Sequence, residues 1–148
     1  MGWVDLSGTN HLDYAPDISW TPTITALYGG ASGWTAGVCK YKRIGNLIIA
    51  MGTNGGPSVT YGNGWWLLGG LPATPYVADT SQKIMIGQVY YYNVGRASYG
   101  HVMYDTTLGA HFMSANATSN QLSFWTGGIF NGSAGDRSLI YKLFYEAA

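Results

Sequence analysis

Charge is scarce in this chain. Seven basic and seven acidic residues among 148 leave 9% charged and a formal net charge of zero. Without a long-range field there is little to draw it onto phosphates or anionic lipid, and the only basic cluster is Lys40, Lys42 and Arg43. Nucleic acid is therefore not an expected partner. Low charge also means weak mutual repulsion, so a chain this rich in aromatic surface is expected to associate with itself. Cysteine is nearly absent: Cys39 stands alone, no disulfide can form within the chain, and the fold must be held by its core. No apolar stretch approaches the roughly 18 residues of a membrane helix, and the first residues show no basic region followed by an apolar run. Neither membrane insertion nor export by an ordinary signal is expected.

What the chain has instead is glycine, 22 residues of it, with 15% aromatic and 47% apolar residues. Gly29-Gly30, Asn54-Gly55-Gly56, Asn63-Gly64, Gly69-Gly70, Gly127-Gly128 and Asn131-Gly132 are turn signals. Between them lie short runs of Val, Ile, Thr, Tyr, Phe and Trp, none with a sustained helical period. Strands are expected at Thr21 to Leu27, Trp34 to Arg43, Leu47 to Gly52, Trp65 to Gly69, Lys83 to Asn93, Ser98 to Tyr104, Leu108 to Ser114, Gln121 to Trp125 and Arg137 to Tyr145. Eight or nine short antiparallel strands without helices between them imply an all-β domain, a two-sheet β-sandwich of jelly-roll type.

Two hairpins are legible in more detail. Gly45-Asn46 separates Tyr41-Lys42-Arg43-Ile44 from Leu47-Ile48-Ile49 as a two-residue turn with Gly first. Further on, a loop of Asp105-Thr106-Thr107 would pair Tyr104 with Leu108, Val102 with Ala110 and Gly100 with Phe112, giving one apolar face. The other face would set His101 against His111, beside Met103 and Met113. Residues 1–20 lack alternation and hold Asp5, Asp13 and Asp17. They read as an N-terminal arm, either an attachment or exchange segment or a strap packed through Trp3, Leu6 and Tyr14. Residues 21–148 form the single β-sandwich domain.

Little in the chain points to bond-breaking chemistry. Asp79, Asp105 and Asp136 sit beside turn residues, where an aspartate ordinarily bonds to local backbone, and Glu146 ends the last strand. A glycosidase would need two facing carboxylates. His11, His101, His111 and Cys39 show no metal-ligand spacing, so no metal or other cofactor is expected. No GxSxG elbow occurs, and Cys39 reads as a small buried thiol. Asn116-Ala117-Thr118 and Asn131-Gly132-Ser133 match the glycosylation acceptor pattern but read as turns. The candidate ligand-binding residues are aromatic: Trp34, Trp65, Trp66, Tyr91, Tyr99 and Trp125. Adjacent residues of a strand point to opposite faces, so Trp65 and Trp66 cannot share one core. Exposed rings suit the C–H faces of sugars, and equally suit protein interfaces. His101, His111, Met103 and Met113 are candidates for an oligomer interface.

Trp20-Thr21-Pro22, Gly37 to Arg43 (GVCKYKR), Ile44 to Ile49 (IGNLII) and Gly70-Leu71-Pro72 resemble the C-terminal jelly-roll domain of bacteriophage tail fibres, receptor-binding proteins and minor tail proteins. The resemblance covers roughly residues 20–75 by motif. It implies a β-sandwich, commonly a homotrimer, that projects from a virion and touches a host cell-wall saccharide without catalysing a reaction. The motif residues themselves read as scaffold: Gly45-Asn46 as a turn, Tyr41 as packing, Pro72 as a strand end. The protein would be made in the bacterial host cytoplasm and carried on the tail or capsid surface, with residues 1–20 contacting other virion proteins. The chain lacks a long N-terminal shaft, which favours a minor tail protein or a capsid fibre or decoration protein. Three other readings stand beside this one: a purely architectural virion protein, a carbohydrate-binding module of a secreted enzyme, and a small enzyme, which a bound metal or a carboxylate pair in one pocket would favour.

Overall fold

The structure is a computed structural model, and it describes residues 17–57, 59–61, 64–93, 96–115, 122–124 and 137–148. Among these there are strands and no helix, hence no helix long and apolar enough to cross a membrane. Thirteen strands are described: β1 (Ile18–Ser19), β2 (Thr23–Ala26), β3 (Ala31–Ser32), β4 (Thr35–Ala36), β5 (Lys40–Ile44), β6 (Leu47–Gly56), β7 (Thr60–Tyr61), β8 (Trp66–Gly69), β9 (Ile84–Asn93), β10 (Arg96–Asp105), β11 (Gly109–Ala115), β12 (Leu122–Phe124) and β13 (Arg137–Glu146).

Eleven of them form one antiparallel sheet in the order β1-β5-β6-β13-β9-β10-β11-β8-β2, with β4 added to β6 and β12 to β11. The sheet curls into a half-barrel. β3 and β7 form a separate two-stranded ribbon. All-β architecture is thus observed, as one curled sheet and a ribbon. The expected run from Trp34 to Arg43 divides into β4 and β5, because the Gly37-Val38-Cys39 segment lies outside the ladders.

The core fills the concave face. Alternation places Ile48, Ala50 and Asn54 of β6, Leu139, Tyr141, Leu143 and Tyr145 of β13, and Val89 and Tyr91 of β9 on it. Trp66, Phe112 and Val102 complete its middle. Gly52 faces Tyr141 across the β6–β13 ladder. A Cβ there would stand 2.5 Å from Tyr141 Cε2, so only glycine leaves room for the ring. The Tyr141 hydroxyl donates to Asn54 Oδ1, while Asn54 Nδ2 donates to the Pro22 carbonyl at 3.2 Å. This satisfies a buried amide and ties the lead into β2 to the sheet. Burial, with Cys39 beside it, pushes the Tyr141 phenol well above its usual value, so the hydroxyl keeps the proton it donates.

The Gly45-Asn46 turn joins β5 and β6 with Ile44 opposite Leu47, and Gly45 has the positive φ of +60° that its place requires. The β10–β11 hairpin differs from expectation by one loop position. Asp105 pairs with Gly109, Tyr104 with Ala110 and Val102 with Phe112, leaving Thr106-Thr107-Leu108 as the loop. The cause is the Asp105 carboxylate, whose Oδ1 accepts from the Thr107 N–H at 2.9 Å and the Leu108 N–H at 2.7 Å. Gly109 closes the turn at φ +75°. His101 consequently faces Met113, and His111 faces Met103, so the two histidines are diagonal and not directly opposed.

Candidate functional site

The aromatic side chains separate into three groups once each face is known. Trp66 and Tyr91 belong to the core, fully enclosed, with their ring centroids 6.0 Å apart in an edge-on contact. Both were candidates for ligand binding, and the structure corrects this: in β8 and β9 the alternation that sends Trp65, Tyr90 and Tyr92 outward sends Trp66 and Tyr91 inward. Trp125 lies outside the described residues.

The second group gathers around the β3–β7 ribbon. Trp34 is half-buried; its ring stands edge-on to Trp66 at 5.3 Å, and its Nε1 donates to the Thr60 carbonyl at 3.1 Å. Trp65 is also half-buried, and its carbonyl accepts from the Leu27 N–H at 2.9 Å. Tyr28 stands at the tip of the turn closed by the Gly29 N–H on the Ala26 carbonyl and is 76% exposed. Its ring lies over Gly64, where an added Cβ would stand 2.7 Å from Cδ2. The ribbon adds hydroxyls. Thr60 Oγ1 donates to the Gly30 carbonyl at 2.6 Å, which leaves it to accept from Ser32 Oγ at 2.8 Å.

A polar cleft of about 410 Å³ opens beside this corner, bounded by Thr35, Gly37, Thr53, Gly55, Arg137 and Ser138 among others. Gly56 brings the two together, since its backbone packs against the Gly33 carbonyl just before Trp34. Arg137 is buried, and its Nη1 donates to the Val59 carbonyl at 2.9 Å, which holds the base of the cleft in shape. Rings beside hydroxyls and backbone carbonyls form a surface that can stack a pyranose and hydrogen-bond its edge. Tyr28 was not among the sequence candidates. The signal available was its place between Leu27 and Gly29-Gly30, where a turn must expose it.

The third group occupies the outer face of the sheet, opposite the core. Tyr99 is 77% exposed and packs against Tyr90 with centroids 4.7 Å apart, next to Tyr92 and Ile140. Of the run Tyr90-Tyr91-Tyr92, it is Tyr90 and Tyr92, not Tyr91, that reach this face.

The four residues expected at an oligomer interface stand otherwise. Met103, Met113 and His111 are buried within the single chain and His101 is half-buried, which corrects the expectation that this face is open to a partner. His111 Nδ1 donates to the Gly109 carbonyl at 2.9 Å. Burial holds its pKa below the usual histidine value despite that bond and the nearby Asp105 carboxylate.

Each described acid whose contacts are defined has a structural task. Asp79 Oδ1 accepts from the Ser81 N–H at 2.9 Å and the Ser81 hydroxyl at 2.8 Å, which holds its carboxyl below the ordinary range. Asp105 orders the β10–β11 turn and meets Lys83 at 3.5 Å, and Asp17 meets Lys42 at 3.6 Å. Among the described residues no three His, Cys, Asp or Glu side chains are grouped to hold a metal ion. Cys39 is buried, its Sγ held between the Thr53 carbonyl and the Thr53 N–H. No family model, no curated protein and no solved structure matches the chain.

Proposed function

We propose that this chain is a non-enzymatic bacteriophage virion subunit, of tail-fibre or minor-tail type, that binds a host cell-surface saccharide at the Tyr28–Trp34–Trp65 corner. The observation that carries the saccharide reading is Trp34, bonded to the Thr60 carbonyl beside the Ser32 and Thr60 hydroxyls and next to the Thr35–Ser138 cleft, with the exposed Tyr28 on the turn that leads into the ribbon. A sugar ring stacks on Tyr28 and the exposed edge of Trp65, and its hydroxyls reach the cleft. The virion assignment rests on the motif set from Trp20 to Pro72. A jelly-roll relationship and self-association belong to the same proposal, with residues 1–20 contacting other virion proteins.

Binding of the full chain to purified host cell-wall polysaccharide, read by glycan array and then by titration, tests this. Tyr28→Ser removes the most exposed ring of this corner at no cost to the core, and a stacking loss of about 1.4 kcal/mol corresponds to tenfold weaker binding. A full chain that binds no cell-wall glycan, or Tyr28→Ser and Trp65→Ser variants that bind unchanged, overturns the assignment of this corner.

A further inference from the structure

Six of the eleven large apolar side chains that are exposed among the described residues lie on one surface, the outer face of β6, β13, β9 and β10: Met51, Met85, Tyr92, Tyr99, Ile140 and Phe144. The ladders fix their order. Ile49 stands opposite Phe144 in one row; Met51, Lys142 and Gln88 form the next; Thr53, Ile140, Tyr90 and Tyr99 the third; Ser138 and Tyr92 the last. Such a concentration of apolar area on a chain of zero net charge marks a contact surface.

The two ends of this face differ in shape and charge. Toward β5 there is a hollow of about 710 Å³ with Ile49, Met51, Met85 and Phe144 on its floor. Lys40, Lys42 and Lys142 line it, against the single acid Asp17. Toward β10 the Tyr90–Tyr99 pair and Tyr92 project. Six residues separate the Phe144 row from the Ser138 row, about 20 Å along the strand.

We infer that this face is the contact between two copies of the chain, packed sheet on sheet about a two-fold axis close to Tyr141 of β13. Rotation about that axis carries the tyrosine end of one copy over the hollow of the other, and the reverse, as a closed two-fold contact requires. The lysines then meet tyrosine rings, a favourable cation–π arrangement, instead of meeting their own copies. Area agrees as well. Four ten-residue strands about 4.8 Å apart at about 3.3 Å per residue, with the five-residue β5 beside them, cover roughly 700 Å², within the roughly 600–1,000 Å² each partner contributes to a stable interface of ordinary size. Two stacked sheets of a sandwich lie about 10 Å apart with rings and aliphatic side chains between them. The second layer that the strand-rich sequence calls for is here supplied by the second copy. The contact is two-fold, unlike the three-fold association implied by the tail-fibre resemblance, and it uses neither Tyr28 nor the ribbon.

Sedimentation equilibrium of the full chain across a concentration series is the test. The expected mass is that of two chains. Ile140→Asp, which puts a carboxylate into the apolar contact on each side of the axis, halves it, while Thr25→Asp, exposed on the edge strand β2, leaves it at two. Circular dichroism establishes that each variant keeps its strands. Should Ile140→Asp fail to fold, Ile140→Cys replaces it: a bis-maleimide long enough to span the gap between the sheets links the copies into a covalent dimer, whereas Val38→Cys, more open to solvent elsewhere, is not linked. A mass of one or three chains, an Ile140→Asp variant that stays paired, or Ile140→Cys chains that do not cross-link overturns the inference. Sugar binding by Tyr28 variants is read separately, so either proposal can fail without the other.

Discussion

Asn54 lies between two groups that depend on it, the Tyr141 hydroxyl and the Pro22 carbonyl. Replacing it with Ala leaves a buried phenol without its acceptor, and the desolvation cost of such a group is about 1–3 kcal/mol. Asn54→Ala is therefore expected to lower unfolding free energy by about 2 kcal/mol in urea titration. The same change made in a Tyr141→Phe background is expected to cost less, since the orphaned group is already gone; equal costs would show that the two side chains are not coupled. Gly52→Ala tests the opposite fault, excess volume. With Tyr141 Cε2 only 2.5 Å from the added carbon, ring or strand must shift, at a cost of about 1–3 kcal/mol.

At the level of elements, the β10–β11 hairpin shows how much a strand pattern tells and where it stops. Alternation correctly assigned Val102, Ala110 and Phe112 to the core face. The partners were displaced because moving a three-residue loop by one position shifts the register by two and leaves every side chain on its own face. What selects the actual loop is the pair of bonds from the Thr107 and Leu108 N–H groups to Asp105, a local device that periodicity does not report. Asp105→Ala is expected to loosen this turn, and amide hydrogen exchange should quicken at Thr107 and Leu108 while the distant β5–β6 hairpin is unaffected. In that second hairpin Gly45 sits at φ +60° with open space around it, so Gly45→Ala strains only the backbone, by about 1 kcal/mol.

For the whole molecule, Asp105 and His111 give stability a common pH dependence. Burial alone would raise the Asp105 carboxyl, but the Leu108 and Thr107 N–H groups, with positive charge nearby, hold it below its unfolded value of 3.8. Its contribution is present above that value and is lost as pH falls through the lower, folded one. His111 is depressed by burial below its unfolded value of 6.5, so the unfolded chain takes up a proton first. Its contribution is complete above 6.5 and declines as pH drops below it. Thermal melting temperature is expected to fall from pH 7 to pH 5, and His111→Gln to flatten that segment of the curve while leaving the steeper loss below pH 4. At the alkaline end burial pushes the Tyr145 phenol up to about 12, although the Ala73 N–H, which donates to the phenol oxygen at 3.4 Å, works the other way. Period-two alternation and glycine turns, both local and both written in the chain, determined that the protein is all strand, where most strands run, and that Trp65 and Trp66 must part company. Tertiary structure alone decided which member of each aromatic pair meets solvent, because the inward face of a strand is set by the sheet that curls around it. It also decided that Trp34 meets Thr60 and that the Ser32 and Thr60 hydroxyls pair, which depends on a ribbon joining Ala31–Ser32 to Thr60–Tyr61 across 28 residues or more of chain, a separation over which local pattern carries no information.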